Sequence, residues 1–169
     1  MKFATANTKL KKLYKLANTV LAQWLNRKIG RTMAKIYSFD ILSGIDCPFA
    51  FNCKSRAEVQ DDGSRRIKDG PDTKFRCFSA SQEVLFTNVY NSRKRNHDAI
   101  HELETSDAMA DALCDALPKN AGVIRIHVSG DMFSNNYFLA WIKVAERNPN
   151  VLFYAYTKSL IYWIRNRER

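Results

Sequence analysis

Three of the four cysteines in this 169-residue chain fall in a loop-rich stretch: Cys47 and Cys53 within CPFAFNC, and Cys77 within FRCFSA. Thiolates are soft ligands for zinc and iron, and Cys47 and Cys53 lie where a loop can fold round an ion. Pro48 can open a single helical turn between them. Cys77 precedes a predicted helix, whose first backbone N–H groups favour a thiolate. The spacing lacks the paired CxxC knuckles of a zinc ribbon. Three thiolates leave a fourth position open, as in an iron–sulfur cluster with one free iron or a zinc site completed by His or water. The competing reading is three small buried hydrophobes. Cys114, beside Leu113 and Leu117, reads as core. His97 and His101, four apart on a predicted helix, read first as a solvated surface pair among acids and second as reserve ligands.

A second group of polar residues surrounds two predicted strands, Val123–Val128 and Val151–Thr157, joined by a helix Asn135–Arg147 that Ser134 caps. Parallel strands need such a crossover. Strict alternation places Ile124, Ile126 and Val128 on one face and Arg125, His127 and Ser129 on the other. Ligands of open sheets and barrels bind beyond the carboxyl ends of the strands, here Ser129-Gly130-Asp131 and Tyr156-Thr157-Lys158. Gly130 would let backbone approach a ligand closely, and the helix start near Ser134 suits an anion. His127 or Asp131 is the candidate proton-transfer group, since His titrates near neutral pH. Arg125 and Lys158 could hold an anion. The competing reading makes Arg125 and Asp131 an ion pair and His127 an interior residue.

The elements that position these groups are legible in outline. Leu10, Leu13, Ala17, Val20, Leu21, Trp24 and Leu25 recur at helical spacing, with Lys9, Lys12 and Lys15 off the stripe. Residues 1–32 therefore read as a basic amphipathic helical segment ahead of a single α/β domain, 33–169. That segment could meet nucleic acid or an anionic membrane, or dock its apolar stripe on its own domain. Ala34 to Leu42 alternates as a short strand. The cysteine-bearing region 43–78 is loop-rich, and the runs flanking Asp61-Asp62-Gly63 can pair as a hairpin. A loop this long needs an organiser, which a metal would supply. Ser79 to about Glu104 reads as one helix or two, followed by a helix from Ser106 to Leu117 ended by Pro118.

Composition narrows the class. A hydrophobic content of 46% is that of a globular protein. Nine Lys or Arg residues precede Asp40, the first acid, so most of the net charge of +10 belongs to the N-terminal segment and the body is near neutral. No run suggests a membrane span or a signal peptide. Sparse cysteines fit a reducing cytoplasm, where clustered thiols bind metal or do redox chemistry.

The runs SGIDCPFAFNC, DGPDTKFRCFSASQE, IRIHVSGDMFSNNYFLAWIKVA and NVLFYAYTKSL resemble the bacteriophage gene-product-eighty-eight domain family, over about Ile36 to Leu160. The resemblance implies a parallel α/β or barrel-like fold with a cysteine cluster near its start, loosely like radical S-adenosylmethionine enzymes, although their CxxxCxxC is not present. The positions that match are Cys47, Cys53 and Cys77, and His127, Ser129, Gly130, Asp131, Tyr156, Thr157 and Lys158. Family members continue past the TKSL run, so a shortened member or a fragment is expected. The combined expectation is a short parallel sheet with flanking helices, part of a barrel-like fold, plus a cysteine-bearing loop region. Functionally it is a phage protein of the host cytoplasm whose cysteines hold an Fe–S cluster or Zn beside a small-molecule or nucleotide pocket. The alternatives are a non-catalytic zinc-stapled nucleic-acid-binding module and a protein that engages a host protein.

Overall fold

A computed structural model describes residues 1–5 and 35–168. Residues 6–32 of the expected basic helical segment lie outside the described residues, and so does the division at residue 32. Within the first five residues of that segment the chain is not helical: β1 (Ala4–Thr5) pairs antiparallel with β2 (Lys35–Phe39), a short strand absent from the sequence expectation.

The chain then forms a hairpin of β3 (Arg56–Val59) and β4 (Arg65–Lys68). Gly63 turns it at φ +78°, a left-handed conformation that glycine adopts without steric cost. Helices α1 (Phe78–Leu85), α2 (Thr87–His101) and α3 (Ser106–Ala116) follow. The chain closes with β5 (Ala121–Ile126), α4 (Asn135–Arg147), β6 (Leu152–Ala155) and α5 (Leu160–Asn166). The long helical stretch after Cys77 is thus two helices, broken where Phe86 takes an extended φ of −120°. Thr105, one residue before the expected cap, accepts from the Ala108 N–H and starts α3. Ser134 caps α4 as its sequence implies, accepting from the Tyr137 N–H at 3.1 Å, an interaction of about 1 kcal/mol.

The main sheet has strand order β1-β2-β5-β6, with β2, β5 and β6 parallel. The strand–helix–strand unit β5-α4-β6 has the expected topology, but β5 begins two residues earlier and ends at Ile126 rather than Val128. One face of the sheet is covered by α3 and α4, with Phe39, Ile124, Ile126, Leu113, Tyr137, Trp141 and Val144 buried between them. Full burial of each such side chain contributes about 1.5–3 kcal/mol. Ile36, Val123 and Tyr154 make a small cluster of their own. The described residues form a mixed α/β fold with an open four-stranded sheet; they do not close into a barrel.

The region 43–78 carries its own organisers. Ser55 donates to Asp69 at 2.7 Å and its hydroxyl oxygen accepts from the Cys77 N–H, while the Lys74 and Phe75 N–H groups donate to the Asn52 carbonyl. Ser43, bonded to Glu83, and Asp46, bonded to the Asp131 N–H through its carbonyl, tie the start of the region to the rest of the fold.

Candidate functional site

β2, β5 and β6 run parallel, so their carboxyl ends meet at one edge of the sheet, and a cleft of about 380 Å³ opens there. Ser43 follows β2, residues 127–131 follow β5, and Tyr156, Thr157 and Lys158 follow β6. Cys47, Cys53 and Cys77 complete the lining, with Ala50 and Ser79 between them. All eleven residues named from the sequence therefore border one cavity. A slightly larger cleft of about 430 Å³ lies by the hairpin between Gly44, Lys54, Arg56 and Asp69. It contains no thiol and no imidazole, and several of its charged groups are committed to exposed ion pairs such as Lys68–Glu58 and Arg76–Asp69. The strand-end cleft carries the richer chemistry.

Within that cleft the side chains differ in how free they are. Asp131 is buried, and its carboxylate accepts from the Met132 and Lys158 N–H groups and from the Thr157 hydroxyl. It ties the end of β5 to the end of β6, and it pairs with these donors rather than with Arg125. The Ser129 hydroxyl is likewise committed, donating to Glu83 at 3.0 Å. Gly130 has φ +83°, and a Cβ built there would lie 2.3 Å from Ile41 Cγ1. What approaches Gly130 closely is thus the chain after β2, where the sequence reading looked to a ligand.

His127 departs most from expectation. Its φ of +68°, rare for a residue with a Cβ, breaks the alternation of β5. The imidazole turns into the core, where Nε2 lies 2.9 Å from the Tyr137 hydroxyl and the ring stands edge-on to Trp141. Complete burial pushes its pKa down to about 3. The expected titration near neutral pH is therefore not met: desolvation keeps the ring uncharged. Nδ1 is buried without a hydrogen-bond partner.

Three groups stay available to a ligand. The Arg125 guanidinium, held by an Nε–H bond to the His127 carbonyl, sits over the Tyr156 ring at 5.4 Å. Tyr156 is 74% exposed. The Lys158 ammonium donates to Cys53 Sγ at 3.4 Å. Burial pushes the Cys47 thiol up to about 12, and Asp131, Cys77 and Asp46 reinforce that rise because all three disfavour a further negative charge. The three sulfurs are not all within 4.8 Å of one another.

Two polar centres behind the cleft escaped the sequence reading. Glu83, buried on α1, accepts from the Ser43 N–H and hydroxyl, the Ser129 hydroxyl and Arg93 Nη1. It joins α1, α2 and the chain following β2 and β5. Lone charged residues on helices give no sequence signal for such a role. Asp46, fully buried, faces both His97 and His101. The histidines, expected as a solvated surface pair, keep part of their surface in solvent but turn ring nitrogens toward this buried carboxylate. The spacing of Arg93, His97, Ile100 and His101 was the available signal, because i, i+3 and i+4 positions share a helix face.

The described residues form a mostly parallel α/β sheet with a polar cleft beyond its strand ends, the position at which open α/β sheets commonly bind ligands. No described helix is long and apolar enough to cross a membrane. The chain belongs to the bacteriophage family described as Gene product 88, whose sequence profile matches residues 1–168. Neither a curated protein nor a solved structure matches it.

Proposed function

We propose that this phage protein binds an anionic ligand, most simply a nucleotide, in the strand-end cleft beside a cysteine-bound iron–sulfur cluster. The observation that carries the proposal is the convergence of Cys47, Cys53 and Cys77 with Arg125, Tyr156 and Lys158 on one cavity. An exposed aromatic ring covered on one side by Arg125, with Lys158 lining the same cleft, suits a base and its phosphate: the ring offers a stacking face and the cations compensate charge. As a set the three sulfurs stand too far apart for direct ligation of one zinc ion without movement. Four tetrahedral ligands at about 2.3 Å from zinc stand about 3.8 Å apart, closer than the three thiols come as a set. A cluster of several irons would span wider gaps, and Cys47, Cys53 and Cys77 would hold it with one ligand position unfilled by cysteine. The chain's own contributions are then clear: thiolates hold the cluster, while Arg125 and Lys158 orient the anion.

Anaerobic purification, iron and sulfide analysis and a visible spectrum test the cluster. Stoichiometric iron and sulfide, lost in Cys77→Ser, support it; zinc instead would favour the binding-module alternative, and protein free of both after reconstitution would overturn it. Calorimetric titration with a nucleoside monophosphate tests the anion site. Affinity that falls with added salt supports it, and no binding by folded protein refutes it.

A further inference from the structure

On the helical side of the Asp46-Cys47 peptide lies a second donor set, separate from the cleft thiols. His97 and His101 sit on successive turns of α2 and turn their rings toward the loop after β2. His97 Nδ1 is 2.9 Å from both carboxylate oxygens of Asp46, and His101 Nε2 is 2.8 Å from Oδ1. All three donors lie within 4.8 Å of one another. We propose that Asp46, His97 and His101 form a binding site for a divalent transition-metal ion.

Three features support this. The donor types are two imidazoles and one carboxylate, a set that holds first-row metals on one face and leaves other positions open. The spacing also agrees: ligands about 2.1 Å from a metal and at right angles to one another stand about 3.0 Å apart. The third feature is the asymmetry of burial. Asp46 is fully enclosed, whereas the His97 and His101 side chains are 20% and 38% exposed, so an ion has a route in.

The ligands are oriented by groups around them, as metal sites require. The Leu42 N–H donates to Asp46 Oδ2 at 3.0 Å. The His101 ring stacks on Phe133 at 4.0 Å and 21°, which fixes its plane. The Asp46 carbonyl accepts from the Asp131 N–H at 3.0 Å, so an ion here would brace the peptide that also carries the first cleft cysteine. The proposal does not depend on the cluster or on the anion site.

Manganese(II) is the probe of choice because it favours nitrogen and oxygen donors over thiolates. Chelator-stripped full-length protein is titrated with Mn²⁺ and the free ion is followed by electron paramagnetic resonance. One equivalent should bind, and the thermal midpoint should rise with Mn²⁺ concentration. His101→Gln, a change at the most exposed ligand, should lose at least tenfold in affinity while retaining its circular dichroism spectrum. His101→Glu, which supplies an anionic carboxylate ligand in place of a neutral amide, should recover part of that loss. Failure of the folded wild type to bind Mn²⁺, or equal affinity in wild type and His101→Gln, would overturn the site and leave a hydrogen-bonded triad in its place.

Discussion

His127→Asn should uncouple the stability of this protein from mild acid. In the folded chain the imidazole is held neutral, its pKa pushed down to about 3 by burial, whereas an unfolded histidine titrates near about 6.5. A depressed folded pKa means that the unfolded state binds more protons between these values. The contribution of His127 is therefore intact above about pH 6.5 and is lost as the pH falls toward about 3, approaching 1.4 kcal/mol per unit. Between pH 7 and pH 5 the loss comes to about 2 kcal/mol. Asn suits the replacement because it tolerates the left-handed backbone that His127 adopts, and it does not titrate. The variant should start less stable at pH 7, by about 1–3 kcal/mol, for the lost Tyr137 hydrogen bond and packing. Its deficit should then shrink by about 2 kcal/mol at pH 5. Urea unfolding of metal-free protein at several pH values reads this difference directly. The comparison must be between variant and wild type, because His97 works in the opposite sense. Its hydrogen bond to Asp46 raises its pKa, so its stabilisation is present at low pH and lost as the pH rises. Parallel stability curves for wild type and His127→Asn would refute the reasoning.

Glu83→Gln removes one partner of a buried ion pair and leaves the Arg93 charge uncompensated, so urea unfolding should show a loss of about 3–5 kcal/mol. Arg93→Met in the same chain should recover part of it; a loss under 1 kcal/mol would show that the pair is not a structural hub. Gly130→Ala meets both a left-handed backbone and the Ile41 side chain, and should cost about 2–4 kcal/mol by the same measurement. Lys158→Met should weaken binding of a nucleoside monophosphate by roughly tenfold and flatten its salt dependence, as titration calorimetry at two salt concentrations will show.

Sequence by itself determined the strand–helix–strand unit and the residues near its strand ends. The reason is that its signals are local. Alternation in β5, the helical period of α4 and the Ser134 cap each act within a few residues, so each is written in adjacent positions. The hairpin around Gly63 was legible on the same ground. Alternation also implied that His127 would face away from Ile126, and there it failed. A single positive φ reverses the side a residue faces, and the burial that stabilises it comes from Tyr137 and Trp141 on another element.

The tertiary structure alone decided which polar groups are spent on the fold and which stay free. Glu83 finds Ser43 and Ser129 across 40 and 46 residues, and Asp46 finds His97 and His101 across 51 and 55. Inside a protein each buried charge must be matched by donors or acceptors, but nothing local specifies which distant ones. The residues that border the cleft were therefore readable, whereas their commitments were not. Asp131 and Ser129 hold the chain together, and Arg125, Tyr156 and Lys158 remain facing the cavity.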